Sequence, residues 1–84
     1  MIIELNEYII ADPDICHGKP TFKGTRIMVW QVLEMLRSGD SVKKIIEEFP
    51  SLTPSAVQAA LQYAVDITRG NNVVIGVADK VSLR

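Results

Sequence analysis

The chain reads as a mainly α domain: a three-helix bundle with a helix-turn-helix pair, a short N-terminal β-strap or hairpin before it, and a short strand or tail after it. Three observations predict this. The stretch Asp12 to Arg26, DPDICHGKPTFKGTR, packs two of the four prolines and two of the five glycines into fifteen residues, so the backbone there turns repeatedly. Beyond it, apolar residues recur at helical spacing in three segments. Those segments are separated by stop signals, Gly39 and Pro50, and by start signals, Ser41 and Thr53-Pro54.

Residues 2–10 alternate weakly and are rich in Ile and Tyr, which predicts one short strand ending at Asp12-Pro13. Pro20-Thr21-Phe22 predicts a second, ended by Gly24, with turns at Asp12-Pro13-Asp14, His17-Gly18-Lys19-Pro20 and Lys23-Gly24-Thr25. Residues 28–38 predict the first helix. Met28, Val29, Val32, Leu33, Met35 and Leu36 share its apolar face, with Gln31, Glu34, Arg37 and Ser38 opposite and Trp30 among the polar set. Gly39 closes it as a left-handed cap. Asp40 or Ser41 caps a second helix over 42–49, with Val42, Ile45, Ile46 and Phe49 inward and Pro50 as its stop. Thr53 as N-cap and Pro54 at the first helical position open a third helix, which runs to Arg69 and ends at Gly70-Asn71-Asn72. The division expected is a helix-turn-helix domain with its strap over residues 1–70 and a tail over 71–84.

The third helix carries most of the functional expectation. Ser55, Gln58, Ala59, Gln62, Asp66 and Arg69 lie on one arc, and the remaining arc is apolar or small over about 200°, twice what one core contact needs. The helix therefore packs on two sides, the second against the strap and tail or against another subunit. Ser55, Gln58 and Gln62 have the chemistry to reach base edges, and the N-terminal part of the second helix of such a motif points at the bases.

Composition sets limits. The 84 residues allow one small domain, and 48% hydrophobic content is too high for a disordered chain. The apolar runs are too short to span a membrane, the start lacks the basic residues of a secretory signal, and a single cysteine excludes an internal disulfide and fits a reducing cytoplasm. The net charge of −1 conceals a basic middle. Residues 15–44 hold Lys19, Lys23, Arg26, Arg37, Lys43 and Lys44 against Glu34 and Asp40. Such a block either faces phosphates or keeps the fold in solution.

Catalytic and metal signatures are weak. Cys16-His17 offers two adjacent ligands that splay apart, where a zinc site takes about three or four. Gly18-Lys19 ends like a phosphate loop, but Pro13 and Pro20 occupy the positions that such a loop fills with Gly and Ser or Thr. No paired catalytic groups stand out, so the expectation is a protein that is not an enzyme and takes no cofactor or metal. Trp30, on the polar side of its helix, lies either under the strap or against a partner.

The run Asp12-Pro13, Ile15-Cys16, Gly18-Lys19-Pro20, Gly24-Thr25-Arg26-Ile27 and Val29 resembles the opening of the family catalogued as domain of unknown function 433. Leu33, Leu36, Gly39, Ser41, Ile45, Phe49-Pro50, Leu52-Thr53, Val57, Ala59-Ala60-Leu61 and Tyr63-Ala64 continue the resemblance, which covers residues 8–68. It implies a homeodomain-like trihelical fold, a homodimer, and an antitoxin-like role in a type II toxin–antitoxin pair. The partner implied is a nuclease toxin of the PIN type, and the DNA implied is the protein's own promoter. Two functions are thus expected. The first is a DNA-binding antitoxin, with Lys19, Lys23, Arg26, Lys43 and Lys44 on phosphates, Ser55, Gln58 and Gln62 on bases, and Trp30, Val73, Val74 and Ile75 on the toxin. Val73-Val74-Ile75 would pair with a sheet edge of that toxin or close this chain's own sheet beside residues 2–5. The second is a dimeric protein-interaction module that binds no DNA.

Overall fold

The computed structural model describes residues 1–70. The elements in chain order are β1 (Ile3–Glu4), β2 (Ile9–Ala11), a 3₁₀ turn (Cys16–Gly18), β3 (Thr21–Phe22), α1 (Val29–Arg37), α2 (Val42–Glu48) and α3 (Pro54–Thr68). The tail expected over 71–84, with Val73, Val74 and Ile75, lies outside the described residues.

The strap is a three-stranded antiparallel sheet in the order β1-β2-β3. Ile3 pairs with Ala11 and Glu4 with Ile10, and Ile9 pairs with Phe22 and Ile10 with Thr21. One expectation needs correcting here: residues 2–10 do not form a single strand. Asn6 interrupts it. Its side-chain Oδ1 accepts from the Tyr8 amide at 2.8 Å, and the Leu5 amide donates to the Ile9 carbonyl at 2.8 Å. A short amide side chain has offered the backbone a local turn in place of a continued ladder.

The Asp12 to Arg26 stretch is folded throughout. Asp12 Oδ1 accepts from the Asp14 amide at 2.9 Å, and its carbonyl accepts from the Ile15 amide. Cys16, His17 and Gly18 all have positive φ, at 51°, 58° and 82°. After β3 the chain doubles back through Gly24, φ 76°. Thr25 staples this loop, its hydroxyl donating to the Phe22 carbonyl at 2.9 Å and accepting from the Ile27 amide at 3.0 Å. The Val29 amide then donates to the Pro20 carbonyl, so α1 leaves directly from the strap.

Caps fix the helices. The Gln31 side chain, expected among the outward polar residues, reaches back to accept from the Met28 amide at 2.9 Å and secures the start of α1. Gly39, φ 97°, follows α1 in the left-handed conformation. Ser41 caps α2 through the Lys44 amide at 3.1 Å, and Thr53 caps α3 through the Ala56 amide at 3.2 Å with Pro54 in its first turn.

The three helices pack on one another and on the sheet around one core. Ile9 and Phe22 from the strap meet Val29, Val32, Ile45, Leu52, Val57 and Ala60, with Leu5, Ala56 and Tyr63 at its edge. The small side chains of Ala56 and Ala60 put the α3 backbone close to its neighbours. Thr21 is fully buried and its hydroxyl has no hydrogen-bond partner. A second expectation is corrected at Ile46. It does not join the core with Ile45, Val42 and Phe49 but stands half-buried beside Pro50 and Pro54. A seven-residue helix turns only Ile45 fully inward, and the next residue lies 100° round.

Candidate functional site

Three surfaces carry the residues that the sequence singled out. The first is the start of α2. Lys43 and Lys44 are both exposed there, on a helix held by the Ser41 cap. The second is the outer side of α3, where Pro54, Ser55, Gln58, Leu61, Gln62, Val65 and Arg69 are exposed. The third is the strap, with Lys19, Lys23 and Arg26 exposed.

These surfaces differ in how free their polar groups are. Lys23 is committed locally, its Nζ lying 3.2 Å from Glu4 Oε2. Arg26 contributes structure through its carbonyl, on which Cys16 Sγ sits at 3.6 Å. Gln62 donates to Asp66 Oδ1 at 2.9 Å, one turn along the same helix. Ser55, Ala59 and Gln62 share a groove with Asn6, Glu7 and Tyr8 of the β1–β2 turn. The same turn is bolted to α3, because Asn6 Nδ2 donates to the Ala59 carbonyl at 3.1 Å. A second groove joins Glu7 and Lys23 to Ser51 and Thr53 at the start of α3.

The polar arc of α3 is therefore walled on one side by the strap turn and flanked by the carboxylates of Glu7 and Asp66. Exposed lysine charge lies at Lys43 and Lys44, at the start of α2. The opposite margin of the exposed α3 side is apolar, with Leu61 at 37% and Val65 at 40% exposure one turn apart. The expected second side of α3 thus faces outward among the described residues, and the strap covers only the Ala59 side.

Trp30 is 54% exposed and is not tucked under the strap; its indole N–H points to Met28 Sδ at 3.3 Å. On the same helix, Arg37 donates to Glu34 and holds that carboxyl below its usual range. Cys16 and His17 form no pair, and among the described residues no cluster of three or more His, Cys, Asp or Glu is placed to hold a metal ion. No helix among them is long and apolar enough to cross a membrane.

Sequence reasoning missed two features. Asn6, read as part of a strand, is the link between strap and α3; Asn-Glu inside an otherwise β-prone run was the available signal. An apolar groove on the outside of α2 was also missed. It is lined by Val42, Ile46, Pro50 and Pro54, with Lys43 and Glu47 on its flank. Its apolar members recur every four residues from α2 through the following turn into the start of α3.

A family model described as "Protein of unknown function (DUF433)" matches residues 9–64, from β2 into the last two turns of α3. The chain is similar to "Uncharacterized protein y4eO" of Sinorhizobium fredii (strain NBRC 101917 / NGR234), with 35% identity over 71 residues. That match takes in 83% of this chain and 32% of the relative, so the chain spans about a third of the length of that curated relative. No solved structure matches.

Proposed function

The chain belongs to the DUF433 family, and with that as premise we propose that it is the antitoxin-like partner of a PIN-type nuclease, a cytoplasmic protein that works by binding and not by catalysis. The observation that carries the binding role is the outer margin of α3. Leu61 and Val65 stand exposed one turn apart on a capped fifteen-residue helix, with Gln58 and Gln62 beside them. An apolar ridge with amide neighbours suits a protein partner: the apolar atoms gain by leaving water, and the amides give register.

The test is co-purification of the full chain with the PIN-type nuclease encoded next to it, wild type against the double variant Leu61→Asp, Val65→Asp. The expected result is capture by the wild type and loss in the variant, with circular dichroism showing that the variant is folded, since Leu61 and Val65 are each partly covered by the fold. A chain ending at Gly70 separates the contribution of residues 71–84. If the intact chain captures no nuclease from cells that express it, the antitoxin reading is to be dropped. Retention by the double variant moves the contact to Trp30, the strap or the tail.

A second reading is favoured by Lys43 and Lys44, which stand exposed at the start of α2. In it the fold is a homeodomain-like helix-turn-helix that also binds its own promoter, with Lys19 and Arg26 as further phosphate contacts and Ser55, Gln58 and Gln62 towards the bases. Lys44→Ala then weakens binding to every sequence and lowers the salt slope by about one unit, whereas Gln58→Ala relaxes sequence preference. DNA binding unchanged by both variants at all salt concentrations removes this reading.

A further inference from the structure

We propose that the cleft between the strap turn and the start of α3 receives an arginine side chain of a protein partner. The cleft has a volume of about 210 Å³. Pockets for small molecules and cofactors run to about 300–1,000 Å³, so this one suits a single side chain. Phe22, Leu52 and Ala56 give it an apolar floor, and all three belong to the core. Glu7, Tyr8 and Ser51 stand around it. Asn6, next to Glu7, is bonded to the Ala59 carbonyl, so the turn that carries the carboxylate is fixed to α3 before any partner arrives.

Charge selects the occupant. Two charged groups line the cleft, Glu7 and Lys23. The Lys23 ammonium is answered by Glu4, 3.2 Å away. Glu7 is exposed, and among the described residues its carboxylate takes part in no ion pair. The cleft therefore offers one unanswered negative charge beside an apolar floor. Its complement is a cation on an apolar stem. A basic side chain has that build: its methylenes lie on apolar surface while the charged head stays at the rim. An anion is not favoured, because Lys23 is already paired and Glu7 repels it. The rim selects arginine over lysine. A planar guanidinium carries five N–H donors in a fixed fork, and the oxygens of Glu7 and Ser51 open on the same cleft as Tyr8. The tyrosine ring attracts the guanidinium as well. The inference rests on the protein-binding reading above, and it adds to that reading an anchor at the start of α3, separate from Leu61 and Val65 further along the helix.

Nuclear magnetic resonance titration of the purified full chain tests the cleft without any partner. The probe is N-acetyl-argininamide, an arginine capped as it is within a chain. It is expected to shift the amide signals of Glu7, Tyr8, Ser51 and Leu52, with a Kd on the order of millimolar. N-acetyl-citrullinamide, its uncharged counterpart, gives no saturable shift there, and N-acetyl-lysinamide binds more weakly. E7Q weakens the arginine probe about threefold, the effect of losing an exposed ion pair. K23M frees Glu4 as a second negative group and tightens it about twofold. Signals away from the cleft stay in place in both variants, which shows that they are folded. The proposal is overturned by no saturable shift at the cleft, by citrulline or lysine probes that bind as tightly as arginine, or by binding indifferent to E7Q. Loss of binding in K23M marks an anion site and overturns it equally. In the co-purification with the nuclease, E7K is expected to lower the affinity about tenfold, and capture equal to wild type counts against the cleft as the partner's anchor. If the wild type captures no nuclease, the antitoxin reading falls, while the titration still decides the cleft.

Discussion

Asn6 does two jobs with one side chain: its oxygen accepts from the Tyr8 amide and its nitrogen donates to the Ala59 carbonyl. Aspartate can keep the first contact but not the second, and it turns a charge towards a carbonyl oxygen. Asn6→Asp is therefore expected to cost about 1–2 kcal/mol at neutral pH, read from urea unfolding; an unchanged midpoint means that the strap is not held to α3 through this bond. Tyr63 gives the pH counterpart. Burial pushes its phenol above the ordinary value, so the folded state keeps a proton that the unfolded chain gives up first. Its contribution is complete below the unfolded value of about 10 and is lost as pH rises from there through the folded one. Stability of the wild type should fall more steeply than that of Tyr63→Phe between about pH 9 and pH 11. Parallel curves for the two proteins would rule this out.

At the scale of elements, local chemistry decides where each helix begins. Ser41 and Thr53 each place an oxygen on an otherwise unpaired amide of the first turn, and Pro54 has no N–H to leave unpaired. Thr53→Ala is expected to lower stability by about 1 kcal/mol in the same unfolding assay. It should also fray the start of α3, seen as faster hydrogen exchange at the Ala56 amide. Protection at Ala56 equal to wild type would show that tertiary packing alone holds that turn. The cap positions were legible because Ser-Val and Thr-Pro before amphipathic runs have one common structural use. The strand boundaries were not, because Ile3, Ile9 and Ile10 have the same β preference on either side of Asn6, and the break is made by one amide side chain that takes the Tyr8 amide locally and also reaches Ala59, 53 residues away.

For the whole molecule the margin is narrow. A domain of this size lies near the low end of about 5–15 kcal/mol, and its core combines a three-stranded sheet of two- and three-residue strands with three helices, none of which stands alone.

The sequence by itself determined the three helices, their caps, the turns of the Asp12 to Arg26 stretch and the core positions Val29, Val32, Ile45, Val57 and Ala60. These depend on contacts within a turn or two, and on periodicities of a few residues that any chain of this pattern shares. It also carried the family resemblance, of which Gly18 takes a left-handed position in the 16–18 turn and Gly24 and Thr25 make the stapled 22–27 loop. Only the tertiary structure decided which apolar residues stay outside. Leu61, Val65 and Ile46 look like core residues in the sequence, and each is left only partly covered, outside the core, because its helix presents one side to its neighbours. It also decided that the strap turn, with Glu7, stands against the polar arc of α3. No local pattern encodes that approach, which arises when the packing of Ile9 and Phe22 on the helices brings residues 6 and 59 within hydrogen-bond reach.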